Sequence, residues 1–413
     1  MKLKLKKIFC TLLCLTLLFS LTAPCFAAEE KTAEGNYPYV FVHGMMGWGE
    51  NTEGAMMDAP YWGFKAENNV PEYLRSLGYE VAVPSVGPMS SAWDRACELY
   101  AQLTGTVVDY GAAHSERCGH ARFGRDYTGR ALLGDGAGWD LTTPVNVVTH
   151  SFGGPTANVF ASVMEYGCKE EIEASPDDCS EFFKGGKEGL VYSVSTLASP
   201  HNGTPLSNLL YDIKLPVFLA AFIMNVADNG TDYMLDQFGL TKDPATGEKK
   251  SFNFKGIKAI YKSDDHCAYD MTIKGAKELY EKFPAAAHTY YFSYSGDITE
   301  DGRLGRKISG DFATGIFGMT GSLITLSSGR RFDGVKLGRE WAPNDGFVPV
   351  VSARYPFVHE HAEYTDAQEL TTGIWYAMPT TEGGSHGYHV GGQQATLWGF
   401  YDSLIETVTA IGG

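Results

Sequence analysis

Val145-Asn146-Val147-Val148-Thr149-His150-Ser151-Phe152-Gly153-Gly154 runs from a β-branched strand through a tight turn into a helical pattern that continues from Pro155 to Tyr166. Strand, sharp turn and helix form the setting of a nucleophile elbow, which lifts a serine hydroxyl clear of the backbone on a strained turn. The residues two before and two after that serine must be small, so that strand and helix can approach each other. Gly153 meets the demand, whereas Thr149 is bulkier than the glycine of the general pattern.

On either side of this stretch, Tyr39 to His43, Glu80 to Val83, Leu190 to Leu197 and Thr289 to Tyr294 are β-branched or aromatic and mostly uninterrupted. Such runs suit parallel strands buried on both faces. Helical patterns lie between them, at Pro71 to Leu77 and Asp94 to Leu103 as well as after the elbow, and the alternation predicts an α/β layered fold. Two polar, Gly-rich regions interrupt it, around Gly105 to Gly138 and around Asp228 to Lys250; insertions of that length usually carry function. No internal repeat or low-complexity linker divides the chain, so one domain with insertions is expected over 29–413.

A serine hydroxyl needs a histidine to take its proton and a carboxylate to fix that histidine's tautomer. In α/β-hydrolases these follow the elbow in the order serine, acid, histidine. Asp345, in Asn344-Asp345-Gly346 at a turn after the last strands, and His386, in the flexible Gly383-Gly384-Ser385-His386-Gly387, fit that order. Asp333 and His389 are the rivals. The tetrahedral oxyanion needs two backbone donors, one after the nucleophile and one from the loop after the first core strand. Phe152 and Met45, the latter directly after Val42-His43-Gly44, occupy those positions.

The 413 residues, 44% hydrophobic and 20% charged, describe a globular chain and exclude disorder, collagen and a small disulfide scaffold. Lys2, Lys4, Lys6 and Lys7 precede an apolar run from Ile8 to Thr22 and a small-residue end at Ala27-Ala28. Residues 1–28 read as a secretory signal peptide, too short in its apolar part to span a bilayer. Its removal takes away four lysines and no acid, moving the formal charge from -16 to -20. That charge repels phosphate backbones and anionic membrane surfaces, and excludes nucleic acid as a partner. Of the cysteines that remain, Cys168 and Cys179 flank a polar loop and are a candidate disulfide in an oxidising compartment, with two free thiols the alternative.

His114 and His120 bracket a Gly-rich loop, with Asp94 at the head of a helix and Asp265 far downstream. Two imidazoles and two carboxylates suit tetrahedral Zn²⁺; by spacing alone, loop histidines are usually solvated. His359-Glu360-His361 lacks helical spacing and further partners, and is expected on a surface loop.

Longer strings carry a resemblance. Phe41-Val42-His43-Gly44-Met45-Met46-Gly47-Trp48-Gly49, Tyr61-Trp62-Gly63, Ser91-Ala92-Trp93-Asp94-Arg95-Ala96-Cys97-Glu98, Asp109 to His114, Gly119 to Arg125, the elbow, Ala198 to Thr204, Tyr269-Asp270 and Trp341 to Val348 span nearly all of the mature chain. They resemble the secreted thermoalkalophilic lipases of bacilli, lipase family I.5. The resemblance implies an α/β-hydrolase fold with a mostly parallel central sheet flanked by helices and with zinc-binding and lid insertions. It places the triad on Ser151, Asp345 and His386 and the oxyanion donors on Met45 and Phe152. It assigns a structural zinc to Asp94, His114, His120 and Asp265, within an insertion at about 86–139 that receives a contribution from about 255–270. A zinc so held would bring Cys118 and Cys267 together, and a disulfide between them is expected, with a pair of buried free cysteines or Cys118 as a substitute ligand the alternatives. The family's calcium site uses a Glu two residues after the catalytic histidine; Tyr388 stands there, and no calcium is predicted.

Pro216 to Met224 is apolar on every face, as a core helix or a lid would be. Its place after Ala198 to Ser207 corresponds to the family's lid, putting a lid region at about 205–250. The expected protein is a secreted, zinc-stabilised serine carboxylester hydrolase, a triacylglycerol lipase, meeting its ester substrate at a lipid or polymer surface. The rivals are a carboxylesterase or polyester hydrolase, a zinc metallohydrolase, and a non-catalytic binding protein.

Overall fold

Seven strands make the central sheet in a computed structural model of the chain, which describes residues 37–50, 59–213 and 235–412 apart from positions 241, 252, 304, 313, 367, 394 and 395. They are β1 (Tyr39–Val42), β2 (Val81–Ala82), β3 (Val145–His150), β4 (Val191–Leu197), β5 (Tyr290–Tyr294), β6 (His361–Glu363) and β7 (Trp375–Ala377). Their order across the sheet is β6-β7-β5-β4-β3-β1-β2, and every pairing is parallel. All residues of β1 and β3 are buried, as expected of strands covered on both faces.

The five strands read from the sequence are all present, four of them trimmed at their ends and the elbow strand, read as Val145 to Thr149, running one residue further to His150. β6 and β7 are additions to that set: each has three residues, and β6 is His361-Ala362-Glu363, whose polar ends carry no strand pattern. They follow Asp345, so the acid does not come after the last strands as expected but in the connection between β5 and β6. His361, expected on a surface loop, opens β6 at the sheet's edge.

Helices Ala92–Thr104 and Gly153–Tyr166 pack against each other on one face of the sheet. The first begins two residues before the predicted Asp94 because Ser91 caps it, its hydroxyl accepting the Asp94 N–H at 3.2 Å. Trp93, Leu99, Phe160 and Tyr291 belong to the core on that side; Phe41, Trp62, Tyr401 and Leu404 belong to the other, under the helix Trp398–Thr409. From β1 the chain first adds β2 on one side and later crosses to β3 on the other. Winding therefore reverses between β1 and β3, and the carboxyl ends of strands on either side of such a switch leave a crevice where ligands bind.

The first Gly-rich insertion folds into a ribbon of Val107–Asp109 with Phe123–Asp126 around the helix Ala112–Cys118. The apolar segment Pro216 to Met224 and residues 1–28 lie outside the described residues. Among the described residues no helix is long and apolar enough to cross a membrane.

Candidate active site

Ser151 sits at the carboxyl end of β3 with φ +55°, a left-handed conformation that costs a non-glycine residue on the order of 1–3 kcal/mol. The fold holds it there: its N–H donates to the Leu197 carbonyl at 2.8 Å, and its carbonyl accepts from Gly154 at 3.1 Å. A side chain at Gly153 would put Cβ 2.4 Å from the Val42 carbonyl oxygen, so glycine is obligatory there. That same Cβ would stand 3.1 Å from the Thr149 Cβ. The elbow thus accommodates threonine at its start because nothing projects from its far side.

The three dispersed residues meet. His386 Nδ1 donates to Asp345 Oδ2 at 2.8 Å, which leaves Nε2 as acceptor for the Ser151 hydroxyl at 2.9 Å. Asp345 is itself fixed by the backbone around it. Its other carboxylate oxygen accepts the N–H groups of Phe347 and Val348 at 2.8 and 2.7 Å, and its carbonyl accepts from His386 N–H at 2.8 Å. The rivals are engaged elsewhere. Asp333 accepts from Asn208 and Lys274, and His389 is buried against Tyr294 and Phe400. His359 bonds the Tyr280 carbonyl, and His361 stacks on Tyr355, so that pair gathers no metal.

Met45 and Phe152 follow the carboxyl ends of β1 and β3, and among the described residues neither N–H donates to another group. Both amides remain available to an oxyanion beside Ser151. Ser151, His386 and Met45 line a cleft of about 460 Å³ whose other walls include Met46, Leu206, Leu210, Met271 and Phe347. Apolar side chains dominate it, the lining usual for a small-molecule cleft.

Four residues to which the sequence assigns no role support these groups. Arg95, fully buried, donates to the carbonyls of His43, Gly44 and Gly87 and to the Thr156 hydroxyl. His43 donates from Nδ1 to the Gly44 carbonyl at 2.8 Å, and its Nε2 accepts from Val86 N–H. Burial, then the Arg95 charge, pushes the His43 pKa down to about 3, so it is neutral. His150 donates from Nε2 to the His386 carbonyl at 2.8 Å, so its Nδ1 must accept the Tyr61 hydroxyl at 2.6 Å; that oxygen accepts Gly44 N–H at 3.0 Å. Burial, then the neighbouring His386, holds His150 well below its ordinary pKa, which keeps this one-way chain intact. Arg95 and Tyr61 do stand inside the strings quoted above, but nothing in their spacing shows what they touch.

A second constellation lies at the start of the Arg95 helix. His114 Nε2 is 3.1 Å from Asp94 Oδ1 and 3.4 Å from Asp265 Oδ2, while His120 Nε2 is 3.9 and 3.2 Å from the same two atoms. All four atoms are buried without a hydrogen-bond partner, an arrangement that is costly unless something fills their centre. Ligands about 2.0–2.1 Å from a tetrahedral ion stand about 3.3 Å apart, and the observed spacings bracket that value. The donors are also oriented: His120 Nδ1 donates to the Ala121 carbonyl at 2.8 Å, turning the Nε2 lone pair inward, and Gln237 holds the outer oxygen of Asp94 at 2.6 Å. These residues fit a metal ion.

The expected Cys118 to Cys267 disulfide is corrected, both thiols being free, and of the two alternatives for Cys168 and Cys179 the structure holds the free thiols. Cys118 turns its sulfur into the metal cluster, 3.9 Å from His114 Nδ1 and among ligand-capable atoms that lie within 4.8 Å of one another. Cys267 instead opens the helix Cys267–Asp270 in the core, its N–H on the Met89 carbonyl. Cys168 and Cys179 are both partly buried against the core.

Known proteins share both the sequence and the architecture. A lipase of Staphylococcus hyicus is 33% identical over 403 residues, covering 94% of this chain; the chain spans only 60% of that relative's length. The crystal structure of Staphylococcus hyicus lipase superposes with a TM-score of 0.78 at 31% identity, covering 92% of this chain and 97% of that one. EstA from Clostridium botulinum superposes with a TM-score of 0.73 at 29% identity, covering 91% and 87%. Residues 35–409 match the family described as lipase-like, C-terminal domain, and this chain is a member of that family.

Proposed function

We propose that the chain is a secreted triacylglycerol lipase of the I.5 type, a serine carboxylester hydrolase working through an acyl-enzyme. The observation that carries this reading is the hydrogen-bonded line from Asp345 through His386 to Ser151, at the floor of an apolar cleft and beside two uncommitted amides. Ser151 Oγ attacks the acyl carbonyl while His386 Nε2 takes its proton, and the Met45 and Phe152 N–H groups receive the oxyanion. Collapse breaks the ester C–O bond, and His386 returns the proton to the departing alcohol. Water, deprotonated by His386, then releases the fatty acid and restores the serine.

Asp94, His114, His120 and Asp265 would hold zinc. Held by four protein ligands, a zinc ion would have no open position; it would supply a structural clip between the insertion at about 86–139 and the segment at about 255–270, not an activated water. This argues against a metallohydrolase. Residues 1–28 would serve as the signal peptide and 29–413 as one domain, with a lid at about 205–250. Labelling with a fluorophosphonate tests the reading. Modification confined to Ser151, with loss of ester hydrolysis, supports it; full hydrolysis after Ser151 is blocked refutes it. Acyl-chain profiling separates a lipase from a carboxylesterase or polyester hydrolase.

A further inference from the structure

The helix Ile316–Thr325 contains no charged residue. Ile316, Met319, Leu323 and, just past its end, Leu326 recur at helical spacing on one face and are 56%, 62%, 43% and 72% exposed. The helix is fixed at the cleft. Asn344, beside the catalytic acid, donates to the Gly321 carbonyl at 3.3 Å, and Phe317 meets the ring of Phe347, which in turn lies edge-on to His386.

The chain then folds back as a ribbon, Arg331–Phe332 against Val335–Lys336. Gly329 N–H to the Leu337 carbonyl and Leu337 N–H to the Arg330 carbonyl, at 2.8 and 2.9 Å, tie it to the helix end. Arg331 and Lys336 stand directly opposite each other, Arg330 and Arg339 flank them, and all four are exposed. Among the described residues none of the four makes an ion pair. Like charges facing across a ribbon are destabilising, and this pair sits on a chain of formal charge -16. A rigid apolar face bordered by unneutralised cations is complementary to a surface with an acyl interior and an anionic rim.

We propose that the Ile316–Thr325 helix and the Arg331–Lys336 ribbon form a docking surface for anionic lipid, which seats the mouth of the cleft on its substrate layer. The proposal rests on the lipase reading and adds the charge of the surface and the elements that meet it. Met319 and Leu326 enter the acyl boundary while Arg331 and Lys336 meet headgroup phosphates.

The test is sedimentation of the metal-loaded Ser151→Ala protein with phosphatidylcholine vesicles, with and without phosphatidylglycerol. Arg331→Glu with Lys336→Glu should weaken binding to the anionic vesicles at least about tenfold and leave binding to the neutral ones unchanged. Met319→Ser with Leu326→Ser should weaken both. With Ser151 restored, all these variants should hydrolyse a water-soluble short ester at the unsubstituted rate. Anionic-vesicle binding indifferent to charge reversal overturns the proposal, as does a parallel fall in soluble-ester turnover. So does a dimer that the Met319 and Leu326 changes dissolve, since the face would then belong to a second copy. Vesicle binding that behaves as described, in a protein that hydrolyses no ester, would refute the enzymatic reading and leave the surface standing.

Discussion

The Arg95 guanidinium lies 3.4 Å from the Gly44 carbonyl oxygen, and that oxygen belongs to the same peptide unit as the Met45 N–H. In a trans peptide the two groups point in opposite directions. A hold on the oxygen, shared with His43 Nδ1 at 2.8 Å, therefore sets the direction of the donor. Replacing Arg95 with Met should misdirect one oxyanion donor and lower kcat about 10²-fold with little change in KM, and Arg95→Lys should recover part of the loss. Steady-state kinetics on a soluble ester, with a melting curve to confirm folding, makes the check. An unchanged kcat in the Met variant would show that Gly44 needs no such hold.

Ser151→Ala should reduce turnover by about three orders of magnitude or more while leaving the apolar cleft able to bind ester. The substitution also removes a hydroxyl from a residue held at φ +55° without relieving the backbone, so thermal stability should change little. Kinetics and calorimetry on the same preparation separate the two effects.

Chelation should destabilise the fold. Without an ion the cluster carries its own cations: despite burial, Asp94 and Asp265 hold His120 up at about 10. Protons are poorer bridges than a four-coordinate metal, and Tm should fall by on the order of 10 °C on exhaustive chelation. Zinc, added back in stoichiometric amount, should restore it, and His120→Ala should show a low Tm that zinc does not raise.

Acid should destabilise the chain through histidines that fold neutral. His43, His201 and His389 are each pushed down to about 3, by burial first and then by Arg95, His359 and His386 respectively. Unfolded histidine titrates near 6.5. As pH falls below that value the unfolded chain takes up protons that the folded chain refuses, so stability is lost from about 6.5 down towards 3. Between pH 7 and 5 each such histidine contributes about 2 kcal/mol of this loss. His389→Gln should shrink the difference in unfolding free energy between pH 7 and pH 5 by about that amount, measured by urea titration; an unaltered difference would mean that His389 protonates within the fold.

The proposed nucleophile was legible because an elbow is local: strand, turn and helix are contiguous, and the need for Gly153 follows from a clash inherent in the motif. The proposed acid and base were legible through chain order, which reports topology. Residues that act by touching a different strand were not. Arg95 and Tyr61 reach Gly44 across gaps of 51 and 17 residues, and no periodicity encodes such contacts. The expected Cys118 to Cys267 bridge failed for a related reason. Nearness to metal ligands in sequence says where a backbone passes, and Cys267 turns into the core two residues after Asp265 has turned towards the cluster. β6 and β7 escaped because three residues hold too little pattern to stand out from loop.

Asp94 and Arg95 are consecutive, the one facing the metal cluster and the other the oxyanion peptide, on the buried helix that Ser91 caps. A small twist or slide of that first turn cannot disturb one without the other. Warming that loosens the grip of the proposed ion would therefore cost the proposed activity its rate before it costs the protein its shape, and the practical temperature ceiling would be set by this single turn of backbone.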